Sequence, residues 1–356
     1  MFELRPFQKQ ALEELKTPGN VLCIAPTGSG KSLIYERYIQ EYRPRSILLT
    51  PLVALARQQK RKLEALGLLD EIRILSPESL LFSNFVQKLK AWKPTFLVVD
   101  ECHCLWEWGE DFRPAFQKIP EIFHEFSIQK SLWLTATLPG LAKEFLKKSL
   151  SSPFKEVGGF ELPQSLYLTV QKISWTERTF ALLNWIGKHP DSGIVFVSTR
   201  EETLRISRLL SSQGHAVQPY HAGMSKEERL SIENRVMQQK IKVIVATSAF
   251  GMGMDYPHLN WVLLWQAPPS LLALTQCIGR VGRGTRLDYA TVFWDEEDFR
   301  LLEWMTKDSK RKKRELYNTY LFLKTNACRR KGLTEYFRNA QSENCVSLCE
   351  FCVGKK

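Results

Sequence analysis

Short runs of β-branched and other apolar residues alternate with longer amphipathic stretches from the start of the chain to about residue 150. The predicted strands are Val21–Ala25, Ser46–Thr50, Glu71–Leu75, Thr95–Val99 and Leu132–Thr135, with helical patterns such as Leu52–Leu66 between them. Alternation of this kind implies βαβ units and a parallel sheet covered on both faces. The stretch from Ser151-Ser152-Pro153 through Gly158-Gly159 to Pro163 is rich in breakers and reads as a hinge or linker. A second alternating series follows, with strands at Ile194–Val197, Val243–Ala246, Trp261–Trp265 and Ala290–Trp294. Beyond about residue 297 the pattern turns to polar helix and ends in a cluster of cysteines. The pattern predicts an α/β chain of two tandem parallel-sheet lobes, residues 1–158 and 159–298, followed by a small helical module over 299–356.

Composition narrows the class. The 356 residues suit two or three domains. No apolar run approaches the roughly 20 residues that span a bilayer, and the N-terminus MFELRPFQKQ has no apolar core of the signal-peptide type. The expectation is a cytoplasmic protein with no membrane partner. The 50 Lys and Arg exceed the 38 Asp and Glu by 12, and residues 303–356 supply 13 − 6 = +7 of that excess. A basic region of this kind suggests a polyanion, of which nucleic acid is the usual one. For the run Lys310–Arg314 taken alone, a solvated helix face is an equal alternative.

Ala25-Pro-Thr27-Gly28-Ser29-Gly30-Lys31-Ser32 follows an apolar strand and precedes a helix, the frame that a phosphate-binding loop requires. Gly28 and Gly30 let the backbone N–H groups of the loop approach phosphates, and the helix N-terminus adds positive potential. Lys31 would reach the β and γ phosphates and Ser32 would offer its hydroxyl to Mg²⁺. A chance glycine turn is the competing reading. About 70 residues downstream, Phe96-Leu-Val-Val-Asp100-Glu101 is an apolar strand ending in two acids. Asp100 suits Mg²⁺ positioning, and Glu101 suits orientation or deprotonation of an attacking water. An ordinary buried strand with two solvated acids is the alternative there.

At Asp100-Glu101-Cys102-His103 the chain resembles superfamily-2 helicases, and within them the RecQ family of ATP-dependent DNA helicases. The resemblance includes Leu4-Arg-Pro-Phe-Gln8, the phosphate loop, Thr50-Pro-Leu-Val-Ala-Leu-Ala, Ser76-Pro-Glu-Ser-Leu80 and Leu134-Thr-Ala-Thr137. Further on it includes Phe196-Val-Ser-Thr-Arg200, Tyr220-His-Ala-Gly223, Ala246–Asp255 and Gln276–Arg283. It implies two RecA-like lobes that close on ATP and track a DNA strand with 3′–5′ polarity. By the same resemblance Arg5 and Gln8 would read the adenine edge, Arg280 and Arg283 would reach the γ-phosphate with Arg283 as the finger, and Gln276 and Asp255 would sit nearby, Asp255 on the ribose. Thr50, Ser198, Thr199, Arg200 and Thr247 would contact the DNA backbone. The loop after the acids, with His103, Trp108, Phe112 and Arg113, is by its chemistry a stacking platform with a cation. In the family it couples strand contact to hydrolysis. Cys277 stands where the family usually has an acid.

Cys328-x16-Cys345-x3-Cys349-x2-Cys352 offers four thiolates in a cytosolic chain, which suits a closed tetrahedral Zn²⁺ site. Redox-active thiols are the main alternative and an iron–sulfur cluster a more distant one. RecQ proteins carry a similar cluster, and many continue beyond it into a winged-helix domain, so the resemblance implies a short form. The expected partner is single-stranded and partly duplex DNA, bound by a monomer. The alternatives are a DNA-stimulated translocase with little unwinding of its own, an RNA-directed translocase and a zinc-stabilised nucleic-acid-binding module.

Overall fold

Strands in the first part of the chain are apolar on both faces because both faces are covered. The computed structural model describes residues 3–51, 53–108, 114–150, 152–251, 256–282, 286–338, 341–343, 345 and 347–353. The chain divides into two compact units, one of Met1–Glu161 with Phe337–Asn339 and one of Leu162–Tyr336 with Ala340–Lys356.

The first unit contains β1 (Gly19–Ile24), β2 (Ser46–Leu49), β3 (Ile72–Leu75), β4 (Phe96–Val99), β5 (Lys130–Thr135) and β6 (Phe154–Gly158). They form one sheet in the order β3-β2-β4-β5-β1-β6, and each pairing is parallel. Side chains alternate between two cores. Leu22, Ile24, Leu97, Val99 and Trp133 enter one, while Val21, Cys23, Phe96, Val98, Leu132 and Leu134 enter the other. Burying both faces makes these strands read as unbroken apolar runs.

The linker reading of 151–163 is corrected over residues 154–158. Phe154–Gly158 is β6, paired with β1 from Asn20↔Phe154 to Ile24↔Gly158. Only Val157 of that strand is buried, so the edge position leaves no apolar pattern. Gly158 has φ +75, and a Cβ there would lie 2.3 Å from the Ile24 carbonyl. The glycine therefore marks a close backbone approach rather than a flexible joint.

The second unit adds β7 (Leu166–Lys172), β8 (Gly193–Phe196), β9 (Val217–Tyr220), β10 (Val243–Ala246), β11 (Trp261–Leu264) and β12 (Asp288–Trp294). They pair in parallel in the order β7-β12-β11-β8-β10-β9. The two strands without a sequence signal, β7 and β9, are the edges, and an edge tolerates Pro219 in β9. A buried ion pair locks the sheet to its helices. Arg178 and Asp298 meet through two 2.9 Å bonds with both side chains at 0% exposure. Arg178 also donates to the Trp265 carbonyl at 3.1 Å. After β12 come helices Glu296–Met305, Lys310–Lys324 and Arg329–Arg338, then the short Glu350–Val353. Among the described residues no helix is long and apolar enough to cross a membrane.

Candidate nucleotide, strand and metal sites

In a parallel sheet the functional loops gather at the carboxyl ends of the strands. In the first unit, β1 runs into the loop Ala25–Lys31 and β4 into Asp100-Glu101, with β5 between them. Gly28 (φ +75) and Gly30 (φ +84) take left-handed conformations. The Lys31 ammonium stays over the loop, donating to the carbonyls of Ala25 (2.9 Å) and Pro26 (3.1 Å). Ser32 opens helix Ser32–Tyr42, Thr27 is half-buried and Ser29 is buried. The loop is thus a backbone cradle at a helix N-terminus with one cation, which suits a phosphate chain.

Gln8 is part of this scaffold. Its Nε2 donates to the Gly30 carbonyl at 2.8 Å, and its Oε1 accepts from the Arg5 N–H at 2.8 Å. Arg5 itself is exposed at the start of helix Pro6–Glu14.

The two acids have different surroundings. Asp100 Oδ2 accepts from Gln59 Nε2 at 2.8 Å and Oδ1 from the Glu101 N–H at 3.0 Å. Burial, then the charge of Glu101, pushes its pKa up to about 6, while Lys31 and the Gln59 bond pull it down. A divalent cation would favour the ionised form, so the donor set fits Mg²⁺ with Asp100 and Ser32 as its oxygens. Glu101 sits at φ +50, sparsely populated for a residue with a Cβ. Its Oε2 lies 3.3 Å from His103 Nδ1, which is 3.0 Å from Thr135 Oγ1. Burial lowers the His103 pKa, but Cys104 and Glu101 outweigh it and hold the imidazole well above its usual value. Burial also pushes the Cys104 thiol up.

Among the other predicted residues, Thr50 directly follows β2 and is buried, its Oγ1 lacking a hydrogen-bond partner among the described residues. It sits beside the acids because the Asp100 N–H donates to the Leu49 carbonyl at 2.9 Å. Ser198, Thr199 and Arg200 follow β8 and are exposed, and half-buried Thr247 follows the neighbouring β10. Thr199 caps helix Arg200–Ser212 by accepting from the Glu202 N–H at 3.1 Å. Gln276 lies in helix Leu271–Ile278, and Arg280 just after it is buried and donates to the Gly251 carbonyl. Phe112, Arg113, Asp255 and Arg283 lie outside the described residues, as does the side chain of Trp108, the last residue of helix His103–Trp108.

Two glutamines escaped the sequence reading. Gln59, on helix Val53–Ala65, carries no motif signal, and only the fold brings it to Asp100. Gln266 follows β11, and in its better amide orientation it accepts from Ser198 Oγ at 2.7 Å and donates to Glu202. A polar residue directly after an apolar strand is the signal that could have found it.

The four terminal cysteines converge. All their sulfurs lie within 4.8 Å of one another, with Cys345–Cys349 at 3.4 Å and Cys349–Cys328 at 3.9 Å. Four sulfurs held ~2.3 Å from a tetrahedral ion sit about 3.8 Å apart, so the spacing fits one metal. Burial opposes ionisation of Cys328, but N–H donors from Cys345 and Lys331 outweigh it and lower its pKa to about 7. The cluster is anchored to β7, where the Leu168 N–H donates to Leu348 at 3.1 Å and Arg330 donates to the carbonyls of Leu166 and Pro163 at 2.7 and 2.8 Å.

Comparison with known proteins agrees with this arrangement. Residues 5–79 match the DEAD/DEAH box helicase family and residues 177–285 the helicase conserved C-terminal domain. A relative from Pasteurella multocida, ATP-dependent DNA helicase RecQ, is 26% identical over 98% of this chain and 60% of its own. The Mycobacterium smegmatis helicase Lhr bound to ssDNA and AMP-PNP superimposes with a TM-score of 0.65, at 20% identity over 87% of this chain and 48% of that one. Dbp5 of S. cerevisiae bound to RNA and ADP BeF3 does so at 0.61, with 18% identity over 85% of this chain and 91% of that one. The two sheets with their edge loops define a superfamily-2 helicase core of two RecA-like lobes. Within that superfamily RecQ relatives match this chain over nearly its whole length. The chain spans about 60% of the length of those relatives.

Proposed function

We propose that the chain is an ATP-dependent DNA helicase and translocase moving 3′–5′ along a single strand, with Mg²⁺ as its cofactor and Zn²⁺ in the Cys328, Cys345, Cys349 and Cys352 cluster. The observation that carries this reading is the meeting of Lys31, Asp100 and Glu101 at the carboxyl edge of one sheet in a chain with RecQ relatives. Ser32 and Asp100 would hold Mg²⁺, which would supply neutralisation of phosphate charge. The loop from Thr27 to Ser32 holds the phosphates, Glu101 takes the proton of the attacking water, and Arg280 and Arg283 meet the γ-phosphate. Arg5 and Gln8 face the adenine and Asp255 the ribose, with Gln276 beside them. Thr50, Ser198, Thr199, Arg200 and Thr247 hold the strand by its phosphates, which gives grip without sequence preference. The residues after the acids, His103, Trp108, Phe112 and Arg113, report strand contact to the catalytic site.

The test is strand separation on forked duplexes with a 3′ or a 5′ tail, run beside ATPase assays with DNA and with RNA. The reading expects DNA-stimulated hydrolysis and unwinding of the 3′-tailed fork. Stimulation by RNA alone, or unwinding only from a 5′ tail, would overturn it.

Gln59 carries its own expectation. Gln59→Leu deletes the donor to Asp100, a hydrogen bond to a charged group worth ~1.5–3 kcal/mol. The Mg²⁺ concentration for half-maximal ATP turnover should rise about tenfold or more, with oligonucleotide affinity unchanged. Magnesium titrations of the ATPase rate check this, and a wild-type Mg²⁺ response would refute it.

A further inference from the structure

The basic run Lys310–Arg314 takes no part in the sites above. In helix Lys310–Lys324, residues Lys310, Lys313, Arg314 and Tyr317 are all exposed. Their spacing places them within an arc of about 100°, so the helix shows one stripe of three cations and a ring. The single acid of the helix, Glu315, is buried. Just before it, Trp304 at the end of helix Glu296–Met305 is 68% exposed, and Tyr317 is 60% exposed. Lys307 Nζ lies 5.8 Å from the Trp304 ring centroid. The two helices are packed together through Tyr320, whose ring lies 5.0 Å from that of Phe299 and 6.3 Å from that of Trp294.

A merely solvated helix interleaves charges of both signs. This one instead sets Lys310 and Arg314 as like charges four residues apart, which costs helix stability. A run of like charge is a common footprint of a polyanion-binding surface. Cations beside exposed rings fit one ligand chemistry, phosphates with accessible base faces. A duplex covers its base faces, so the rings select an unpaired strand.

We propose that this stripe, with Trp304 and Lys307, is an additional strand-binding surface that takes an unpaired nucleic-acid strand, its bases on the two rings and its phosphates on the cations. The proposal rests on the nucleic-acid reading of the whole chain. It is tested by fluorescence anisotropy of labelled oligo-dT, and of a blunt duplex, titrated over a range of salt, with thermal midpoints as the check on folding. Replacing Lys310, Lys313 and Arg314 together by Ala should flatten the salt dependence on oligo-dT by about 2 in log K against log [salt], from ~0.7 per lost contact. Trp304→Ala and Tyr317→Ala should each weaken oligo-dT binding by about fivefold or more. An unchanged slope in the triple variant, with Arg200→Ala still weakening binding, would overturn the stripe and leave the helicase reading intact. Losses confined to the duplex would overturn the assignment to an unpaired strand. Failure of the wild type to bind either probe would overturn both.

Discussion

A Glu101→Gln protein is expected to hydrolyse ATP at least about a hundredfold more slowly than wild type while binding oligo-dT equally well, the loss that removal of a general base typically brings. The change is nearly isosteric, so the turn after β4 and the 2.9 Å bond from the Cys102 N–H to Leu134 should persist. A neutral amide can neither take the proton of an attacking water nor lend charge to His103. Lys31→Ala should act differently. It deletes the cation of the phosphate cradle, so its loss should appear in KM for ATP as well as in kcat. Steady-state ATPase assays with saturating oligo-dT, beside anisotropy binding, separate the two. Wild-type turnover in either variant would remove that residue from the catalytic assignment.

Glu101 and Lys31 were legible because their chemistry is local: a glycine loop between strand and helix, and two acids closing an apolar strand. Central strands were legible for a related reason, since Val21–Ile24 and Phe96–Val99 are buried on both faces and leave an unbroken apolar run. The edge strands β6, β7 and β9 left no such trace. β6 buries Val157 alone, and its Gly158-Gly159 looks like a joint until the Ile24 carbonyl is seen against it. Gln59 was invisible for a third reason. Its bond to Asp100 spans 41 residues and depends on β2 and β4 being neighbours, which is a property of sheet order rather than of spacing. The cysteine cluster falls between these cases. Spacing pointed to a metal, while the attachment of Leu348 and Cys349 to β7 needed the fold.

That attachment makes Cys349→Ser the variant with the largest expected effect on stability. Cys349 is fully buried, bridges to Leu168 of β7 and lies near the Cys345 and Cys328 sulfurs. Residues 328–352 form a 25-residue segment that a metal would close into a loop. In the chain-entropy picture, cross-linking a loop of that length contributes about 3.5 kcal/mol. For a unit of roughly 150–250 residues each kcal/mol moves Tm by ~2–4 °C, so a drop near 10 °C is expected. Elemental analysis should give one zinc per wild-type chain and little in Cys349→Ser. A strong chelator should lower the wild-type Tm toward that of the variant and leave the variant unmoved. Acidification should release the metal as well, because each thiolate must be deprotonated to bind it. Because the first sheet shares none of these anchors, nucleotide binding by the chelated protein should survive, measured at a temperature below the lowered midpoint. A wild-type protein that contains no zinc, or a Cys349→Ser protein that melts like wild type, would end the metal reading. If Tm fell instead on adding a thiol reductant and ignored chelator, the cluster would be a redox pair.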